Sequence, residues 1–364
     1  MTLNGLVIRP AHLGDTPTLV ALLGGGQTQI HVPTPLGTPP RTAWTWVQDW
    51  QERRLTYLAL AAGRPAGLIQ VRPCNRQHST WKIEQVVAAD LDTGTELMRH
   101  CLDEIRPART WIQEVSHPDE QALSLCRQHG FHPLAQHTYW HLAGPALQAL
   151  AAHPTDAAPL TPVYPGAARL LYQLDMATMP PLVRQVFDRQ IYDFEVPTWE
   201  YHWQRCQAWL GIAPSLHAYV YEPQRQCAIG YLRLQINPHI AGSHWADWVV
   251  HPAYTWLYPQ LLGHLARALQ GREAQGLYLA SADYQPTRED WLRQVGATPV
   301  AHTLLLCRTV WHKLREGRFA GLDPLQLADV LPVFQPAHPP VPSRLEMDGR
   351  RRFRPALETH LVGK

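Results

Sequence analysis

Two valine pairs set 163 residues apart constrain this chain more than any other feature. Val86-Val87 closes one apolar run, Val249-Val250 closes another, and a helical pattern follows each. Gly130 and Gly296, 166 residues apart, each follow a later helix. Apolar spacing predicts strands over 6–10, 55–62, 68–72, 81–88, 110–115 and 136–142. It predicts helices over 16–23, 43–54, 94–105 and 120–129. A second series then runs strand 169–174, helices 181–192 and 199–210, strands 218–221, 228–236 and 245–250. It ends on helix 259–269, strand 276–280, helix 288–295 and strand 303–310. The same order at nearly the same offset is the signature of an internal duplication.

The expected organisation is a first domain over 1–145, an Ala/Pro-rich linker over 146–166, a second domain over 167–316 and a tail over 317–364. The tail combines a proline-rich stretch with the basic cluster Arg350-Arg351-Arg352-Phe353-Arg354, which suits a docking segment. Lys+Arg 32 against Asp+Glu 30 leaves a net charge of +2, which excludes a strongly basic nucleic-acid binder. No apolar run approaches the roughly 20 residues that a spanning helix needs. Six cysteines form no C-x-x-C pair, and Met1–Leu6 lacks the shape of a signal peptide. A cytoplasmic protein is expected. His129, His132, His137 and His141 lie close in sequence, but no cysteine or carboxylate completes a zinc spacing, so no metal is expected.

Several phrases carry a resemblance. VIRPAHLGDTPTLVALL (7–23), YLALAAGRPAGLIQV (57–71), QALSLCRQHGFHPL (121–134) and, in the second half, WADWVVHPAY (245–254) resemble segments of the GNAT N-acetyltransferase superfamily. The likeness extends over about 5–143 and 167–312. It implies an α/β chain of two GNAT-like domains in tandem, each with a mixed, mostly antiparallel sheet flanked by helices and splayed between its fourth and fifth strands. It also implies acetyl-CoA or another acyl-CoA as co-substrate and an amine, of a small molecule or a protein, as acceptor.

The site residues follow from the same resemblance. The backbone of Val86 and Val87 would hold the pantetheine arm. Thr93, Gly94 and Thr95 would open the pyrophosphate loop, where a helix N-terminus suits an anion. Only Gly94 matches the family's glycines, while Asp90 and Asp92 oppose a phosphate, and Asp92 or Thr93 can equally serve as a plain helix cap. Glu84 in the first half and Asp247 in the second each precede a valine pair by two residues and fit a general base. The family's tyrosine acid is replaced by Cys126 in the first half and by Leu292 in the second. Trp256, Leu257, Tyr258 and Pro259 crowd the second phosphate loop. The first half, with Glu84 as base, is therefore the expected working half. A tandem scaffold that has lost CoA binding is the alternative.

Overall fold

Alternating apolar residues and tight turns assemble the first half in chain order. It comprises β1 (Leu6–Pro10), α1 (Thr16–Leu23), β2 (Ile30–Val32), β3 (Leu55–Ala61), β4 (Arg64–Pro73), β5 (Thr80–Ala88), α2 (Leu91–Glu104), β6 (Thr110–Ser116), α3 (Glu120–Gln128) and β7 (His132–Leu142). The computed structural model describes residues 6–23, 30–32, 54–152, 158–199, 201–202, 206, 216–237, 243–272 and 275–310. β3 and β4 join through Ala62 and Gly63 at φ 50° and 77°, the left-handed pair that a two-residue hairpin requires. α2 forms because Leu97, Met98, Cys101 and Leu102 recur at helical spacing and bury one face, while the Asp90 carboxylate accepts from the Thr93 N–H and caps the start.

The second half repeats the plan. It runs α4 (Gly144–Ala152), β8 (Leu160–Pro162), α5 (Ala168–Thr178), α6 (Pro181–Phe187), β9 (His217–Glu222), β10 (Cys227–Gln235), β11 (His244–Val250), α7 (Leu257–Ala268), β12 (Leu277–Ala282), α8 (Pro286–Gln294) and β13 (Thr298–Thr309). Two local expectations need correction. The segment 169–174, expected as a strand, lies inside α5, and the place of the first strand is taken by the three-residue β8 in what was expected to be linker. The expected helix 43–54 (except Arg54), Trp203, Trp209 and the tail 317–364 fall outside the described residues.

The two expected sheets are one. Strand order is β1-β3-β4-β5-β6-β13-β7-β12-β11-β10-β9-β8, with β2 added on β5. The halves exchange their last strands. β13 lies between β6 and β7, both from the first half, and β7 lies between β13 and β12, both from the second. One face is covered by α2 and α3 in the first half and by α4, α7 and α8 in the second. The opposite face carries α1 over Leu58, Leu68 and Val87, and α5 over Tyr219 and Ala228. On that same face α6 crosses the seam: Val186 and Phe187 pack on Ile112, Ala135 and Leu305.

A buried carboxylate fixes the seam. Glu114 on β6 accepts from Thr303 Oγ1 of β13 at 2.6 Å, from the Tyr139 hydroxyl and from His137 Nδ1 of β7 at 3.1 Å. Lys82 Nζ of β5 lies 3.3 Å from its other oxygen. Burial pushes the Glu114 carboxyl up, but His137, Lys82 and Thr303 outweigh it and hold it well below the usual carboxylate range. A folded pKa below the unfolded value of 4.5 means a stabilisation complete above that value and lost as pH falls beneath it. Glu114→Gln is expected to cost about 3 kcal/mol at neutral pH. It should also flatten the loss of stability on acidification below about pH 5, read from urea midpoints across pH. Because neither sheet is complete alone, residues 1–152 or 153–312 produced separately should lack native near-UV circular dichroism, and co-production should restore it.

Candidate functional site

Both halves splay where a parallel pair of strands diverges. β5 and β6 pair only over Thr80–Ile83 with Thr110–Gln113. β11 and β12 pair only over His244-Trp245 with Leu277-Tyr278. Beyond those residues each fourth strand has an edge turned away from its antiparallel neighbour, able to take an extended ligand by backbone hydrogen bonds.

In the first half that edge is taken. β2 pairs antiparallel with β5, Ile30 opposite Ala88, His31 opposite Val87 and Val32 opposite Val86. β4 pairs with the same three residues, and a strand has only two edges, so β2 fills the splay beside β6 and runs along α3. Val86 and Val87 are thus bracketed on both sides. The helix start is also committed: Thr93 N–H goes to the Asp90 carboxylate at 2.7 Å and Gly94 N–H to the Asp90 carbonyl at 3.2 Å. Asp90, and neither Asp92 nor Thr93, is the cap. Thr93 and Gly94 are buried, and the Thr95 carbonyl is met by His129 Nε2 at 3.2 Å.

Glu84 also departs from its expected place. A register shift between β4 and β5 leaves it without a Cα partner, and it does not share the face of Val86. Val86 joins the core beneath α2, while Glu84 meets Arg72 Nε and Arg54 Nε, each at 2.6 Å. An extra residue in one strand reverses the alternation beyond it. Cys126 is fully buried, its thiol 3.0 Å from Gln113 Oε1, and burial pushes it up to about 12. It is a packed core thiol far from an effective acid.

The second half differs at each of these points. Among the described residues, no strand pairs with β11 over 246–250 on the side of β12. β10 and β11 keep unbroken register, so Asp247 and Val249 share one face, and both line an open cavity of about 600 Å³ beneath α5. Tyr231 and His217 line it too, Tyr231 Oη lying 3.1 Å from His217 Nε2. Burial, with Arg233 adding to it, pushes His217 down to about 4, and burial pushes Tyr231 up to about 12. At neutral pH the pair is therefore an uncharged imidazole and an uncharged phenol joined by one hydrogen bond. Two of the four residues expected to crowd the start of α7 are packed inward. Leu257 and Tyr258 are buried, Leu257 occupying the space a Cβ at Gly230 would need and Tyr258 lying edge-on to Trp248 at 5.1 Å. Trp256 alone stays half exposed, and the first turn of α7 carries no acidic residue.

This architecture has solved counterparts. A GCN5-related N-acetyltransferase from Sphaerobacter thermophilus superposes with TM-score 0.53 at 16% identity, covering 85% of this chain and 97% of its own. A tandem GNAT protein from the clavulanic acid biosynthesis pathway gives TM-score 0.55 at 14% identity, covering 84% and 98%. The chain has a tandem GNAT-like fold. No protein-family profile and no curated protein sequence matches it.

The four clustered histidines of the first GNAT-like half have separate partners. His129 meets Leu125 and Thr95 carbonyls, His132 the Cys307 thiol, His137 Glu114, and His141 the Tyr278 ring. Sequence reasoning missed His217, Tyr231 and Arg233, although the apolar alternation of CAIGYLRLQ marks Tyr231 and Arg233 as sharing the face opposite Leu232. It also missed β2, since a three-residue strand inside a proline-rich stretch has no period to detect. Hydrogen exchange tests that strand. Amides of 30–32 and 86–88 are expected to be protected together, and acetyl-CoA at millimolar concentration should leave their rates unchanged.

Proposed function

We propose that this chain is an acyl-CoA-dependent N-acyltransferase whose chemistry lies in the second half, the first half serving as a closed structural partner. One observation carries this reading: the stretch of β11 that no described strand pairs on the β12 side is the stretch whose Asp247 and Val249 line the cavity. The β11 backbone over 246–250 would hold the pantetheine arm, and the start of α7, free of acidic residues, would face the phosphates. The first half fits the same group poorly, since β2 and the Asp90 carboxylate occupy its backbone donors.

Acyl-CoA supplies a thioester carbonyl that an amine can attack. Asp247 takes a proton from the acceptor ammonium and frees its lone pair. The C–N bond forms, the nitrogen gives its second proton to solvent water, the C–S bond breaks, and CoA leaves as a thiolate, which a thiol pKa near 8.5 makes accessible without a strong acid. That matters because the tyrosine position holds Leu292, which is fully buried.

The second reading, a scaffold without CoA, draws support from the lack of glycine at the start of α7, where Pro259 also removes one N–H. Calorimetric titration of the full chain with acetyl-CoA decides between them. Binding with one site per chain is expected, and no heat with no thermal shift would remove the enzyme reading. Once an acceptor is in hand, Asp247→Asn should lower turnover about 100-fold or more. Glu84→Gln should leave turnover within a few-fold, and the reverse pattern would return the chemistry to the first half.

A further inference from the structure

Most of the charged groups lining the second-half cavity already have partners. Arg189 pairs with Asp175 at 3.0 Å, Arg72 with Glu84 at 2.6 Å and Glu195 with Arg76 at 3.0 Å. Asp193 accepts from the backbone N–H groups of Arg76 and Gln190 at 2.6 and 2.7 Å. Two groups are left over. Among the described residues Arg233 has no hydrogen-bond or ion-pair partner, and Asp247 accepts a hydrogen bond only from the Trp245 indole N–H at 3.2 Å. They are direct cross-strand partners in the β10–β11 ladder, on the same face, and they do not pair with each other. Cross-strand partners have Cβ atoms about 5 Å apart.

We propose that the acceptor is a free α-amino acid or a close α-aminocarboxylate, its carboxylate on Arg233 and its ammonium on Asp247. This deepens the transferase reading and rests on it for the chemistry, though not for the binding. An α-amino acid places its two charges one carbon apart, which suits a cation and an anion held on adjacent strands. A guanidinium presents a planar fork matched to a carboxylate, as a simple amine acceptor would not require. Beyond the charged pair, Leu171, Met179, Phe194 and Val196 line the cavity and offer an apolar seat to the side chain. His217 remains a neutral neighbour beside Arg233 and does not compete for the carboxylate.

The test uses the full chain and thermal shift, with each of the twenty L-amino acids at 10 mM and, beside each apolar one, the amine that lacks its carboxylate: leucine against 3-methylbutylamine, phenylalanine against 2-phenylethylamine. At least one amino acid with an apolar side chain is expected to stabilise the protein, while its paired amine does not. Arg233→Gln and Asp247→Asn should each weaken that amino acid about tenfold or more. Arg233→Gln should leave the acetyl-CoA titration unchanged. Equal binding of the paired amines, indifference to Arg233→Gln, or no shift with any amino acid would overturn the proposal. Amino-acid binding without acetyl-CoA binding would leave the amino-acid site standing and reject its role as acceptor together with the transferase.

Discussion

The exchange of β7 and β13 is the constraint on which the rest of the molecule depends. Each of these strands completes the sheet of the half it does not belong to, so the two cores close together or not at all. In a long antiparallel pair a slip of one residue turns every side chain to the other face. Glu114 opposes such a slip. Its carboxylate meets groups from β5, β7 and β13, and a shifted register would leave a buried charge without donors. A buried ion cluster of this kind contributes little net stability relative to apolar packing. Its effect here is to make one alignment far better than its neighbours.

The cavity is a consequence of the same seam. α6 and the 3-10 turn Ile191–Phe194 belong to the second half, yet they are anchored on the first. Asn75 Nδ2 donates to the Asp188 carbonyl at 3.1 Å, Ser79 Oγ donates to the Asp188 carboxylate at 2.7 Å, and the Arg76 N–H donates to Asp193 at 2.6 Å. Asp188 holds a left-handed conformation, φ 45°, that ends α6 and lets both contacts form. The wall of the second-half cavity that carries Asp193, Phe194 and Glu195 is thereby fixed to the β4–β5 hairpin of the first. A duplicated fold can in this way spend one copy on positioning the other.

The order of strands was legible because alternation and tight turns are local. The valine pairs and Gly130/Gly296 mark equivalent places in the two halves, and the 163-residue offset leads from Glu84 to Asp247 without a structure. Other features are not local. ARLLYQLDM has apolar residues too densely set to separate strand from helix, and it folds as α5 because Leu171 and Leu174 meet Tyr219 and Ala228. Which strand lies beside β6 depends on pairing energy summed over the sheet, so exchange left no trace in periodicity. Glu84 failed for a physical reason of the same kind. Alternation counted back from Val86 is valid only in an unbroken ladder, and the bulge opposite Gln70 and Val71 breaks it, while the intact β10–β11 ladder kept the inference good for Asp247 and Val249.

The different fates of the two splays follow from burial. Val86, Val87 and Ala88 are all 0% exposed, so an unpaired edge there would leave backbone N–H and C=O groups away from water. Each such orphan costs on the order of 1–3 kcal/mol. β2 supplies the missing partners, and that closure is the stable state of the first half. In the second half the corresponding strand borders a cavity: Asp247 is exposed and Val249 partly so. Among the described residues no strand covers the edge of β11 over 246–250, and the cavity opens that part of the strand to water at Asp247. An edge that water can satisfy is also one from which a ligand can displace water, whereas the first half would have to lose β2 before anything else could bind there. The half that keeps the better-looking valine pair and glycine is thus the half whose energetics close it.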